Sequence, residues 1–154
     1  MIRVFVLEDD KKAMEIVKFL ANNGCEVTHA TTLDGTVYFL EDEPGLAAMD
    51  KLLFDLAVPG CKTEHWQGAF PPGEREYNGN YAGLEYIADC YKYWPEFREA
   101  VDERRVAILT AHARAMQEDF HQMLEENPGL DRVELIFKLS STMDEQLLRF
   151  LRRK

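Results

Sequence analysis

The sequence has little cysteine, too little positive charge to balance its acids and no long apolar run, and each shortage excludes a class of protein. Its three cysteines, Cys25, Cys61 and Cys90, form no CxxC pair. We therefore expect free thiols in a reducing compartment and no disulfide framework. The formal net charge is −10, from 18 basic and 28 acidic residues. This balance argues against a nucleic-acid partner, because nucleic-acid binding needs a basic surface that displaces counterions.

The shortage of long apolar runs predicts a protein without membrane segments. None of the runs approaches the ~20 apolar residues that a membrane-spanning helix needs. The N-terminal MIRVFVLEDD ends its short apolar stretch in acids, which is typical of a strand and not of a signal peptide. We therefore expect a cytoplasmic protein. Its 154 residues suit one domain over 1–154, and we expect no separate output domain.

Apolar runs of strand length alternate with helical patterns along the chain. The predicted strands are 2–7, 25–30, 52–56, 106–109 and 133–139. The predicted helices are 11–23, 33–40, 84–93, 113–126 and 143–153, with a further turn or two over 96–103. Strands that alternate with amphipathic helices predict an α/β fold, a doubly wound five-stranded parallel sheet with helices on both faces. In such a sheet the ligand site lies at the carboxyl ends of the strands.

Polar groups with complementary chemistry stand at these strand ends. They are Glu8, Asp9 and Asp10 after the first strand, Asp55 at the end of the third, Thr110 after the fourth and Lys138 in the fifth. Clustered carboxylates favour a hard cation such as Mg²⁺. With a cation beside it, Asp55 could act as a nucleophile towards a phosphoryl group, and Lys138 could balance the developing charge. Thr110 could donate a hydrogen bond to a phosphoryl oxygen.

Each of these residues also has an ordinary structural explanation. An acidic triplet after a strand is often a helix N-terminus, where acids cap the helix and favour its dipole. A lone Asp that ends a strand shortly before Pro-Gly, as Asp55 does, is often a turn residue. The functional interpretation therefore depends on the coincidence of all these groups at matching strand ends. His29 and His121 have no evident role.

The segments VFVLEDD, LLFDLAVPG, AILTAHA and IFK, in this order, resemble the four signature segments of response-regulator receiver domains of two-component systems. The resemblance covers most of the chain and implies the flavodoxin-like receiver fold. It implies that Asp55 is the phosphoacceptor, Thr110 the switch hydroxyl and Lys138 the lysine that pairs with the phosphate. A sensor histidine kinase or a phosphotransfer protein would be the donor, and a downstream protein of unknown identity the target.

The resemblance also implies a metal site for Mg²⁺ or Mn²⁺. Glu8 and Asp9 fall on the acidic pair that positions the metal, and Asp55 is its third carboxylate. The backbone carbonyl two residues past the acceptor, here that of Ala57, is a metal ligand in the family. Whether Asp10 shares the acidic role is open. Members of the family often pair through their last two helices, so a homodimer is a candidate assembly.

The chain departs from the family in three places. Leu139 stands where the family usually has proline after the lysine, and Leu135 where it often has an aromatic residue. An inserted loop over about 61–81 adds roughly twenty residues before the Gly83-Leu84 pair, and loops of that length are often functional. Its aromatic residues are Trp66, Phe70, Tyr77 and Tyr81. The loop either gates access to Asp55 or forms a surface that recognises a partner, or else it covers an edge of the sheet or of a helix.

Three functions are compatible with this pattern. The first is a response regulator that is not an enzyme, takes a phosphoryl group on Asp55 and signals through protein–protein contacts. The second is a receiver-like interaction module that no longer takes phosphate, which Leu135, Leu139 and the insertion favour. The third is a small metal-dependent phosphohydrolase. Such enzymes commonly carry a second acid two residues past the nucleophile, where this chain has Ala57, so the third ranks last.

Overall fold

The structure is a computed structural model that describes residues 1–9, 11–42, 45–58, 61–62, 76–77, 82–111 and 113–153. Asp10, His112 and most of the predicted inserted loop lie outside the described residues. The described strands are β1 (Ile2–Leu7), β2 (Cys25–Ala30), β3 (Lys51–Asp55), β4 (Cys61–Lys62), β5 (Glu76–Tyr77), β6 (Val106–Thr110) and β7 (Glu134–Phe137). The described helices are α1 (Lys12–Asn22), α2 (Leu33–Val37), α3 (Ala82–Tyr93), α4 (Pro95–Asp102), α5 (Ala113–Glu126) and α6 (Met143–Arg152).

Five strands form one sheet in the order β2-β1-β3-β6-β7, and every neighbouring pair is parallel. All residues of β3 and β6 are buried, as expected for strands that are covered on both faces. The predicted doubly wound parallel sheet is therefore confirmed. Within the described ranges, no helix is long and apolar enough to cross a membrane. All three cysteines are free.

The alternation of side chains along the strands divides the core into two layers. One layer holds Val4, Val6, Leu53, Ala107 and Leu109, packed with residues of α1 and α6. The other holds Phe5, Leu7, Leu52, Phe54 and Ile108, packed with residues of α2, α3, α4 and α5. Because successive residues of a strand point to opposite faces, a continuous apolar strand needs helices on both sides. These helices hold the strand ends, and therefore the polar residues there, in a fixed arrangement.

Several predicted boundaries are wrong. The second helix ends at Val37, where the chain widens into a π-helical turn, Tyr38–Asp42, instead of continuing to residue 40 as an α-helix. The last strand ends at Phe137, so Lys138 follows β7 and does not lie within it. Its start is also later than predicted, because Val133 closes the preceding 3-10 turn. The predicted turn or two after Trp94 is a separate helix that begins at Pro95, a favourable first position for proline.

The described part of the predicted inserted loop is not irregular. Cys61 and Lys62 pair antiparallel with Tyr77 and Glu76, so β4 and β5 form the base of a hairpin. The Tyr77 side chain is fully buried, and its hydroxyl donates to Oδ2 of Asp89 in α3 at 2.7 Å. The aromatic residues Trp66, Phe70 and Tyr81 lie outside the described residues. β5 is therefore anchored on α3.

Candidate functional site

The parallel sheet brings four strand ends together at one edge. Leu7 is the last residue of β1, and Glu8 follows it beside β3. Asp55 ends β3 and stands opposite Leu109 of β6. Thr110 ends β6, and the backbone N–H of Lys138 donates to its carbonyl at 2.9 Å. The sheet order therefore places an acid, a phosphoacceptor candidate, a hydroxyl and an ammonium group on neighbouring strands.

Lys138 is the centre of the buried charges at this edge. Its ammonium Nζ donates to both carboxylate oxygens of Glu8, at 2.9 Å and 3.2 Å. The same Nζ lies 3.4 Å from Oδ2 of Asp55. All three side chains are at most 4% exposed. Charges so far from water interact strongly, so this ammonium group is a fixed counter-charge for both carboxylates.

The positive charge of Lys138 does not balance the three carboxyl groups of the site. Burial raises the pKa of Glu8 to about 8, the hydrogen bond and charge of Asp55 add to the shift, and Lys138 opposes it. Partial removal from water also raises the pKa of Asp9, again with help from the charge of Asp55. Ionising all three carboxyl groups therefore requires a cation besides Lys138.

The donor set fits a divalent cation of the magnesium type. Glu8, Asp9 and Asp55 each offer a carboxylate oxygen, and these atoms lie within 4.8 Å of one another. Three carboxylates face one ammonium group, so a divalent cation would bring the local charge to zero. Oxygen donors of this kind suit Mg²⁺, which is usually held by a few carboxylates and by water.

The backbone after Asp55 is shaped by two close contacts. The N–H of Ala57 donates to Oδ1 of Asp55 at 3.2 Å, which orients the carboxylate. A metal-binding role for the Ala57 carbonyl stays a prediction. Gly83 donates to the carbonyl of Leu56 at 3.0 Å, and a Cβ at position 83 would lie 2.4 Å from the carbonyl oxygen of Asp55. The first turn of α3 therefore packs directly on the backbone of the site, and only glycine fits there.

Sequence reasoning missed one contact at this edge. His29, in β2, places its ring Nε2 2.9 Å from the backbone carbonyl oxygen of Glu8. The predicted site residues come from the ends of four strands, and none of them comes from β2. Because β2 pairs with β1 in parallel, with His29 opposite Val6, its end belongs to the same edge of the sheet. The parallel pattern alone could have drawn attention to this histidine.

No protein-family model matches the chain, and no curated protein matches its sequence. Solved structures do resemble it over nearly its whole length. A sensor protein from Polaromonas sp. JS666 has a TM-score of 0.63 at 15% identity, covering 99% of this chain and 94% of that one. A response regulator receiver domain protein from Clostridium thermocellum has a TM-score of 0.58 at 16% identity, covering 99% and 96%.

A third similar structure is the receiver domain of a sensor histidine kinase from Pseudomonas aeruginosa PAO1, with a magnesium ion coordinated in its active-site cleft. Its TM-score is 0.58 at 18% identity, and the match covers 98% of this chain and 94% of that one. The chain therefore has the α/β fold of response-regulator receiver domains. The predicted resemblance is confirmed at the level of the fold.

Proposed function

We propose that this chain is a phosphorylation-dependent signalling domain that accepts a phosphoryl group on Asp55 with Mg²⁺ or Mn²⁺ bound. The observation that carries the proposal is the position of Asp55. It lies in one cluster with the carboxylates of Glu8 and Asp9, beside the ammonium group of Lys138. The receiver fold adds support, and so does the magnesium ion in the active-site cleft of one similar structure.

In the proposed reaction an oxygen of the Asp55 carboxylate attacks the phosphorus of a phosphohistidine on a sensor kinase or phosphotransfer protein. A phosphorus–oxygen bond forms, the phosphorus–nitrogen bond breaks, and its electron pair leaves with the imidazole. Lys138 holds a positive charge where the phosphoryl oxygens arrive, and the N–H of Ala57 orients Asp55. A cation held by Glu8, Asp9 and Asp55 would neutralise the repulsion between the carboxylates and the incoming group.

Output would then come from altered contacts with a downstream protein. Thr110, buried at the end of β6, is the residue that we propose to respond to a phosphoryl group on Asp55. Its carbonyl already accepts from the Lys138 N–H, so the two residues are coupled through the backbone. A change at Thr110 therefore reaches the loop after β7.

The second candidate function is phosphate-independent protein binding. It is favoured by the exposure of the apolar residues on either side of Lys138, since Phe137 is 37% exposed and Leu139 is 72% exposed. Apolar side chains at the rim of the site offer a protein-contact surface without any phosphoryl group.

The test is intact-mass analysis after incubation with acetyl phosphate and Mg²⁺. Wild type is expected to gain the mass of one phosphoryl group only when Mg²⁺ is present. Asp55→Asn should gain nothing, whereas Asp119→Asn, a change at an exposed aspartate of α5, should behave like wild type. No gain by wild type, together with no binding of beryllofluoride in the presence of Mg²⁺, would overturn the proposal in favour of phosphate-independent binding.

A further inference from the structure

The acidic pair of the site stands just beyond the regular part of the sheet. The last ladder pair between β1 and β2 is Leu7 with Ala30. The N–H of Glu8 still donates to the carbonyl of Ala30, at 3.1 Å. Beyond that bond, β2 has ended and the chain turns into α2. The ladder therefore holds the N–H of Glu8, and something else must hold its carbonyl.

A side chain of β2 forms a hydrogen bond with this carbonyl. The ring Nε2 of the half-buried His29 lies 2.9 Å from the Glu8 carbonyl oxygen. A carbonyl oxygen can only accept a hydrogen bond, so Nε2 must carry the proton and donate it. Since β2 is an edge strand of the five-stranded sheet, this bond ties the site to the edge of the sheet.

The bond acts on both acids at once because of peptide geometry. The carbonyl of Glu8 and the N–H of Asp9 belong to the same peptide unit, which is planar. Fixing the direction of the carbonyl therefore fixes the orientation of the unit that joins the two residues. The Cα atoms of Glu8 and Asp9 stand at its two ends, so the bond restrains the stretch of backbone from which both side chains leave.

We propose that His29 is a positioning residue, which fixes the peptide unit between Glu8 and Asp9 and so prepares the acidic pair for a divalent cation. The inference rests on the proposed function, because it concerns the same metal site. It predicts that the donor atom matters and that the imidazole itself does not. Outer-shell groups that orient metal ligands typically contribute 10–100-fold to metal affinity, and a bond to the backbone belongs at the lower end, about tenfold.

The test compares three substitutions of His29 by the affinity of the purified protein for Mg²⁺ alone, measured by calorimetric titration. The amide nitrogen of glutamine lies as many bonds from Cα as Nε2 does, whereas that of asparagine lies one bond closer. His29→Gln should therefore keep the wild-type affinity. His29→Asn and His29→Ala should both bind Mg²⁺ about tenfold more weakly. The matched control is His121→Ala, at an exposed histidine of α5, which should bind like wild type.

The outcomes separate this inference from the function on which it rests. Equal Mg²⁺ affinity in wild type, His29→Ala and His29→Asn would overturn the role of His29 and leave the metal site standing. Weak binding by all three variants, glutamine included, would overturn it as well, because a donor at the same distance would then not suffice. If wild type binds no Mg²⁺ and gains no phosphoryl mass, the proposed function fails and this inference fails with it.

Discussion

Two buried lysines at opposite ends of the sheet have the same side chain and different surroundings. Lys138 follows β7 at the carboxyl ends of the strands and is 4% exposed, and Lys51 begins β3 at the amino ends and is 6% exposed. The ammonium group of Lys138 faces the carboxylates of Glu8 and Asp55. That of Lys51 donates to the backbone carbonyl of Arg153 at 2.6 Å.

The partners of Lys51 are those of a structural contact. Arg153 directly follows α6, whose C-terminal carbonyls carry a partial negative charge, and the Lys51 ammonium group satisfies the carbonyl of Arg153. The Nζ of Lys51 also lies 4.9 Å from the centroid of the Phe150 ring. Burial lowers the pKa of Lys51, and the nearby charge of Glu134 only partly opposes this. Burial of a lysine therefore does not by itself indicate a functional site. Buried carboxylates next to the lysine are the feature that distinguishes Lys138 from Lys51.

The largest effect is expected at the functional lysine. Lys138→Met removes the positive charge next to Asp55, so phosphorylation by acetyl phosphate should slow about a hundredfold or more, as when a fixed transition-state donor is deleted. Time courses of intact mass measure this rate. Lys51→Met is the matched control and should keep the wild-type rate, since it lies at the other end of β3. Equal slowing by the two variants would mean that Lys138 contributes no more directly to phosphorylation of Asp55 than Lys51 does.

A smaller and local effect is expected at the structural lysine. Lys51→Met keeps the apolar stem but loses the hydrogen bond to Arg153, so the last turn of α6 should lose about 1 kcal/mol of local stability. Amide hydrogen exchange near Arg152 and Arg153 should accelerate roughly fivefold, which is what about 1 kcal/mol corresponds to. Lys18→Met, at an exposed lysine of α1, should leave this exchange unchanged. Unchanged exchange in Lys51→Met would show that α6 ends independently of β3.

A further effect, which depends on pH, concerns Glu41, a half-buried carboxyl group in the π-helical turn after α2. Its Oε2 accepts no hydrogen bond from the described residues, and burial raises its pKa from 4.5 to about 7. Between these two pKa values the folded protein keeps a proton that the unfolded chain releases, so wild-type stability should fall as pH rises through this window. Glu41→Gln cannot titrate and should gain on wild type between pH 5 and pH 8, by on the order of 1 kcal/mol for a half-exposed group.

Urea denaturation of both proteins at the two pH values measures this difference. A stability difference that is the same at pH 5 and at pH 8 would mean that Glu41 titrates as an exposed carboxyl group does. Gln117, an exposed residue of α5, provides the control: Gln117→Glu should show no comparable dependence.

Periodicity along the chain was enough to predict the main sheet. Runs such as Ile2–Leu7 are apolar at nearly every position, and only a strand covered on both faces can bury them fully. Parallel pairing then brings the strand ends to one edge, so the pattern of the sequence predicts that Glu8, Asp55 and Thr110 lie near one another. Boundaries were less predictable, as at Val37, because hydrophobic periodicity does not distinguish an α-helix from the π-helical turn that follows it.

Only the tertiary structure decided which polar atoms face each other. The bonds from His29 to Glu8, from Tyr77 to Asp89 and from Lys51 to Arg153 join residues that are 21, 12 and 102 positions apart. Sequence by itself determined the fold class and the edge of the sheet where the acids gather, because hydrophobic periodicity is a local property of the chain. Pairings between distant polar groups depend on strand order, register and helix placement, which arise only when the whole core packs.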